Sequence, residues 1–126
     1  MGGAVVWGVS VEELKARTFR IGVECLRLAE SLRPSAAARS LGYQLLRSAT
    51  SLGANYRAAS RARSRADFIA KLKIVEEECD EALYWLEVLR EANIVKPQSV
   101  APLVKEGTEL LRIVVASLRT ARDHSA

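Results

Sequence analysis

The chain has 126 residues, 49% of them hydrophobic and 27% charged, with a formal net charge of +4 and a pI of about 9.4. That length is enough for one domain to bury a core without metals or disulfides. No apolar run approaches the roughly 18 residues of a membrane span, and MGGAVVWGV at the N-terminus lacks the basic and long apolar regions of a signal peptide, so a cytoplasmic protein is expected.

Residues 1–9 contain two consecutive glycines and no periodic pattern, and read as a flexible arm. Order is expected from Ser10, because Ser10-Val11-Glu12-Glu13 is a capping box that satisfies the free amides of a helix start. The stripe Leu14, Thr18, Ile21, Cys25, Leu28 and Leu32 then steps by fours and threes, so one face of helix one meets a core. Pro34 ends that helix.

Helix two is predicted from about Ser35, with Leu41, Leu45, Ser48, Leu52 and Asn55 inward. Its middle is rich in Ser, Ala, Thr and Gly, several of them poor helix formers, so its stability must come from packing. Small side chains there admit a close neighbour; the competing reading is a ligand-binding hydroxyl cluster. Asn55 reads as a buried amide that fixes register. A helix running past Ala59 would repeat Arg57, Arg61 and Arg65 every four residues along one side.

Ser64-Arg65-Ala66-Asp67 is a second capping signal, placed before Phe68. The stripe Phe68, Leu72, Val75, Cys79, Ala82, Leu86 and Leu89 follows with strict four-three spacing, a coiled-coil-like seam. Ile74, Trp85 and Val88 fall outside it and share a second, mixed face with Glu78 and Glu81. Asn93 and Pro97 mark the exit. Helix four is predicted from about Ser99, with Val104, Gly107, Leu111, Val114 and Leu118 inward and a frayed tail over residues 123–126. The whole predicts an all-α, antiparallel up-down-up-down four-helix bundle over residues 10–122.

The chemistry of enzymes is missing from these patterns. The lone histidine, His124, cannot supply the Glu-x-x-His pairs of a di-iron bundle or the base of a Ser or Cys triad. No phosphate-cradling glycine motif occurs. Cys25 and Cys79 stand apart without neighbouring ligands and read as buried reduced thiols. A non-enzymatic protein without metal or cofactor is therefore expected.

Charge is segregated instead. From Arg39 to Lys73 eight cations face Asp67 alone, and from Glu76 to Glu91 seven anions face Arg90 alone. Arg57, Arg61, Arg63, Arg65, Lys71 and Lys73 form a candidate surface for RNA or DNA backbone. Nearby aromatics are nearly absent, so base stacking is not expected and binding should be sequence-tolerant and salt-sensitive. Cations at the end of helix two also complement its dipole, which is the plainer explanation, but those on the N-terminal part of helix three do not. Ile74, Glu78, Glu81, Tyr84, Trp85 and Val88 form a candidate face for a second copy, since Trp and Tyr bury large area with little rotamer entropy. An acidic face meeting a basic one would be a heterologous contact, able to close into a ring. The alternative is a structural oligomer whose charges serve self-assembly only.

QLLRSATSLGAN at 44–55, RADFIAKL at 65–72 and EEECDEALYWLEVL at 76–89 resemble, in order and spacing, the bacterial four-helix-bundle proteins first noticed as reading frames in intervening sequences of 23S ribosomal RNA genes. Many members follow the asparagine with Ile-Ala-Glu-Gly, where this chain has Tyr56-Arg57-Ala58-Ala59. The departure removes an acid, adds an arginine and implies a longer helix two. The resemblance implies a bundle that assembles as a homopentamer. It extends to the accessory variability determinant proteins of diversity-generating retroelements, which implies a nucleic-acid-binding accessory partner of a reverse transcriptase.

Overall fold

A computed structural model describes residues 8–123. Residues 1–7 of the arm and residues 124–126 of the tail, His124 among them, lie outside the described residues. Four helices follow in chain order: α1 (Val11–Glu30), α2 (Ala36–Ser60), α3 (Arg65–Glu91) and α4 (Pro97–Asp123). Each packs on its neighbours in sequence, α4 returns to α1, and the diagonal pairs do not meet, which is the antiparallel up-down-up-down bundle.

Serine sets three of the four starts. The Oγ atoms of Ser10, Ser35 and Ser64 accept from the amides of Glu13, Ala38 and Asp67 at 3.1, 2.9 and 3.1 Å, each satisfying a donor the first turn leaves free. Pro97, read from sequence as an exit, opens α4 instead, because the first helical position needs no amide donor. Asn93 (φ 59°) ends α3 in the left-handed region. The amides of Asn93 and Ile94 then donate back to the carbonyls of Arg90 and Leu89 at 3.0 Å each, closing a Schellman turn.

The predicted seams of α1 and α3 face the core: Leu14, Thr18, Ile21 and Cys25 are buried, as are Leu72, Val75, Cys79, Ala82, Leu86 and Leu89. Three expectations need correction. On α2, Tyr56 turns inward in place of Asn55, whose Nδ2 donates to the carbonyl and Oγ of Ser51 on its own helix at 2.9 and 3.0 Å. It fixes no register between helices. On α4, Val100, Leu110 and Ile113 are fully buried while Val104 and Leu111 are partly so, since the early start at Pro97 makes Val100 the first inward position. Val9, assigned to the arm, packs against the core.

The small residues of α2 bring it against α1. A methyl at Gly53 would lie 2.9 Å from the Thr18 carbonyl oxygen, and one at Gly22 would lie 3.2 Å from the Ala49 carbonyl oxygen. The hydroxyls of Thr18, Ser48 and Thr50 donate to carbonyls one turn back on their own helices at 2.7, 3.0 and 2.7 Å. That use favours close packing over a ligand-binding hydroxyl cluster.

Candidate nucleic-acid interface

The up-down topology brings the end of α2, the 61–64 link and the start of α3 to one end of the bundle. Arg57 lies in the last turn of α2, which stops at Ser60 with Arg61 as its C-cap. Arg65 is therefore not a continuation of the Arg57–Arg61 row, as a longer α2 would make it, but the first residue of α3. All three are exposed, as are Arg63 and Lys73. Lys71 donates to Asp67 Oδ1 at 2.8 Å along α3. The other five cations make no ion pair among the described residues.

The same topology delivers two cations that the sequence pattern did not assign. Arg119 and Arg122 are exposed near the C-terminus of α4, which ends beside the start of α3. Their signal was connectivity: once helix four runs antiparallel to helix three, its last turns must reach the basic link. Dipoles account for part of the pattern, since Arg57, Arg61 and Arg122 sit at helix C-termini and Glu12 and Glu13 at the N-terminus of α1. They do not account for Arg65, which sits where a helix start repels cations, nor for Lys73, which lies two turns further along α3 and beyond the reach of the dipole.

The candidate self-contact face divides. Arg47 on α2 pairs with Glu81 and lies 3.7 Å from Glu78, so both carboxylates are engaged within the chain. Trp85 Nε1 donates to Glu81 Oε1 at 3.2 Å, and its ring packs on the core edge with Tyr84 edge-on at 5.0 Å. Val88 is half-buried. Ile74 and Tyr84 remain exposed. Phe19, Leu26 and Tyr43, also exposed, were missed because they lie off the seams used to find inward positions.

Cys25 and Cys79 are free and buried on diagonal helices whose backbones do not meet, so their Cα atoms are too far apart for a disulfide without backbone movement, although Cys25 is near enough to raise Cys79 slightly. Burial pushes both thiols up to about 12, with smaller contributions from Glu24 for Cys25 and from Asp80 for Cys79. Cys79 Sγ donates to the Gly107 carbonyl at 3.3 Å. Among the described residues no cluster of three metal-ligating side chains occurs, and no helix is long and apolar enough to cross a membrane.

Fold and surface together define a small all-α bundle with segregated charge patches. Residues 13–116 match the family model described as 23S rRNA-intervening sequence protein, and the chain belongs to that family. A solved structure similar to it is a protein with unknown function from the S23 ribosomal protein family of Bacteroides thetaiotaomicron VPI-5482. It is 31% identical, superposes with a TM-score of 0.80, and the match covers 86% of this chain and 97% of that one. No curated protein matches the chain.

Proposed function

We propose that this protein is a non-enzymatic, homo-oligomeric adaptor, ring-forming and cytoplasmic, that binds RNA or DNA through phosphates at its basic pole. The observation that carries this reading is the set of five exposed cations, Arg57, Arg61, Arg63, Arg65 and Lys73, which make no ion pair among the described residues and lie at or toward one end of the bundle. The start of α1, with Glu12 and Glu13, shares that end, but cations outnumber acids there, and a polyanion relieves the excess. The family resemblance adds a homopentamer and an accessory role beside a reverse transcriptase or an RNA element.

Fluorescence anisotropy with labelled single- and double-stranded RNA and DNA tests the proposal. Four phosphate contacts would weaken binding by roughly 50- to 150-fold between about 50 and about 200 mM salt. Reversing Arg61 and Arg65 to Glu should abolish binding while the oligomer survives. Absence of binding at low salt sinks the adaptor, and binding indifferent to salt removes the phosphate mechanism. A second reading, an oligomer whose charges serve assembly only, draws on the unpaired acids of α3 described below. It predicts that the same reversal dissociates the oligomer.

A further inference from the structure

Two exposed surfaces remain once the core, the Arg47 cluster and the basic pole are assigned. The first is a trough outside the α1–α2 crossing. Gly22 and Gly53 draw the two backbones together there, so the outer side chains diverge around a cleft of about 250 Å³. Phe19, Val23 and Leu26 wall it on α1, and it continues along α2 past Leu46 to Tyr43. Phe19 and Tyr43 are 60% and 63% exposed, far beyond what a large ring in a finished surface needs. Arg57, shared with the basic pole, stands at one end with Lys15, and Arg39 at the other beside Glu30; neither arginine is ion-paired among the described residues.

The second surface is the outer stripe of α3. Glu77, Asp80, Tyr84, Glu87 and Glu91 step by three, four, three and four, lie on one line of the helix, and are all exposed. Glu91 is held by Arg90, but Glu77, Asp80 and Glu87 have no cation partner among the described residues. Tyr84, 57% exposed, stands in the middle of this acidic ridge.

The geometry points to a second copy of this chain as the occupant of the trough, seated through its α3 ridge. The match is chemical: an aromatic ring between carboxylates meets an apolar floor between arginines. It is also metric. The ridge from Glu77 to Glu91 spans about 21 Å and the α2 wall from Arg39 to Arg57 about 27 Å, at 1.5 Å per residue. Pairing like with like is disfavoured, because ridge on ridge sets carboxylates against carboxylates and trough on trough sets arginines against arginines. Ridge and trough share no residue, so each copy offers one and accepts the other in a head-to-tail contact.

This rests on the oligomeric part of the proposed reading, and the experiment separates the two. Sedimentation velocity of the full chain is compared with Phe19→Glu in the trough and Tyr84→Lys on the ridge, with circular dichroism confirming helix content. The wild type assembles, each variant alone sediments as a monomer, and their equimolar mixture forms a 1:1 complex, since it retains one intact trough and one intact ridge. If either variant keeps the wild-type assembly, or the mixture stays monomeric, the ridge and trough are not partners and only this inference falls. A monomeric wild type overturns both. Tyr43→Glu and Glu87→Lys, at exposed positions, replace any variant that loses helix content.

Discussion

Helix α1 has two neighbours and meets them by opposite means. Toward α2 the backbones nearly touch, with Gly53 under the Thr18 carbonyl and Gly22 under that of Ala49. Toward α4 the contact is shorter and is made by long side chains: Arg17 donates from Nε and Nη2 to Glu106 at 2.8 and 2.7 Å and reaches Glu109 at 3.2 Å. The first seam is defined by side chains that are absent, so it tolerates almost no added volume. The second is defined by a flexible fork, which can follow small displacements of either helix. One side of the bundle is therefore fixed and the other adjustable, and the fixed side is also the one whose outer residues splay into the trough.

The largest test sets that backbone-locked seam against a side-chain contact between α3 and α4, by a pair of identical substitutions. Gly53→Ala places a methyl 2.9 Å from backbone oxygen, so α1 and α2 must separate; a loss of about 1–3 kcal/mol is expected. This comes despite the gain of about 1 kcal/mol that alanine brings to a helix interior. Gly107→Ala meets Leu83 Cδ2 at 2.8 Å, but that is the mobile tip of a side chain, and the rotamer can turn away. Its effect should stay within about 1 kcal/mol of zero, as the same propensity gain offsets the rearrangement. Urea unfolding of the two variants decides: equal midpoints would mean that the α1–α2 contact is not the rigid one.

Next in size is Arg17→Ala. Arg17 is 20% exposed, and its bond to Glu106 raises the guanidinium above its ordinary value despite the opposing effect of burial. Charge-assisted bonds of this kind, discounted for the more exposed Glu109, lead to an expected loss of about 1–2 kcal/mol that shrinks as salt rises. Arg47→Ala is the control, because Arg47 is 44% exposed and its pairs with Glu78 and Glu81 should contribute under about 1 kcal/mol. Comparable losses at the two positions would remove any special role for the α1–α4 fork.

What was legible beforehand follows the same division. Serine caps and four-three seams are local patterns, and they placed all four helices and most of the core of α1 and α3. The error at Asn55 came from extending a seven-residue rhythm along a helix that turns every 3.6 residues. The stripe drifts by about 20° per heptad, enough to bring Tyr56 inward after Leu52. The composition of α2 indicated close packing, but which glycine lies under which carbonyl depends on the height of α1 beside α2. That offset is tertiary. The same is true of the basic pole, where the link was evident in sequence, while Arg119 and Arg122 join it only through the direction of α4. Glu78 and Glu81 were legible as part of a mixed face offered to a second copy, but their pairing with Arg47 of the neighbouring helix was not.

The smallest effect, nil at neutral pH, concerns the two thiols. Burial raises Cys25 and Cys79 from 9.0 to about 12, so the folded state favours the protonated form. The contribution to stability is fully present below about pH 9 and drains away between about 9 and about 12, as the unfolded thiols ionise and the folded ones do not. Tyr56, raised by burial from 10.0 to about 12, adds to the same alkaline slope. Stability measured by urea unfolding should be unaffected by these groups through neutrality and fall above pH 9. A thiol reagent at pH 8 should meanwhile label either cysteine only as fast as the chain unfolds globally. Labelling of Cys79 ahead of global unfolding would carry a specific meaning, because its Sγ donates to Gly107 of α4. It would show α4 opening separately from the rest of the bundle, and would overturn the single cooperative unfolding expected here.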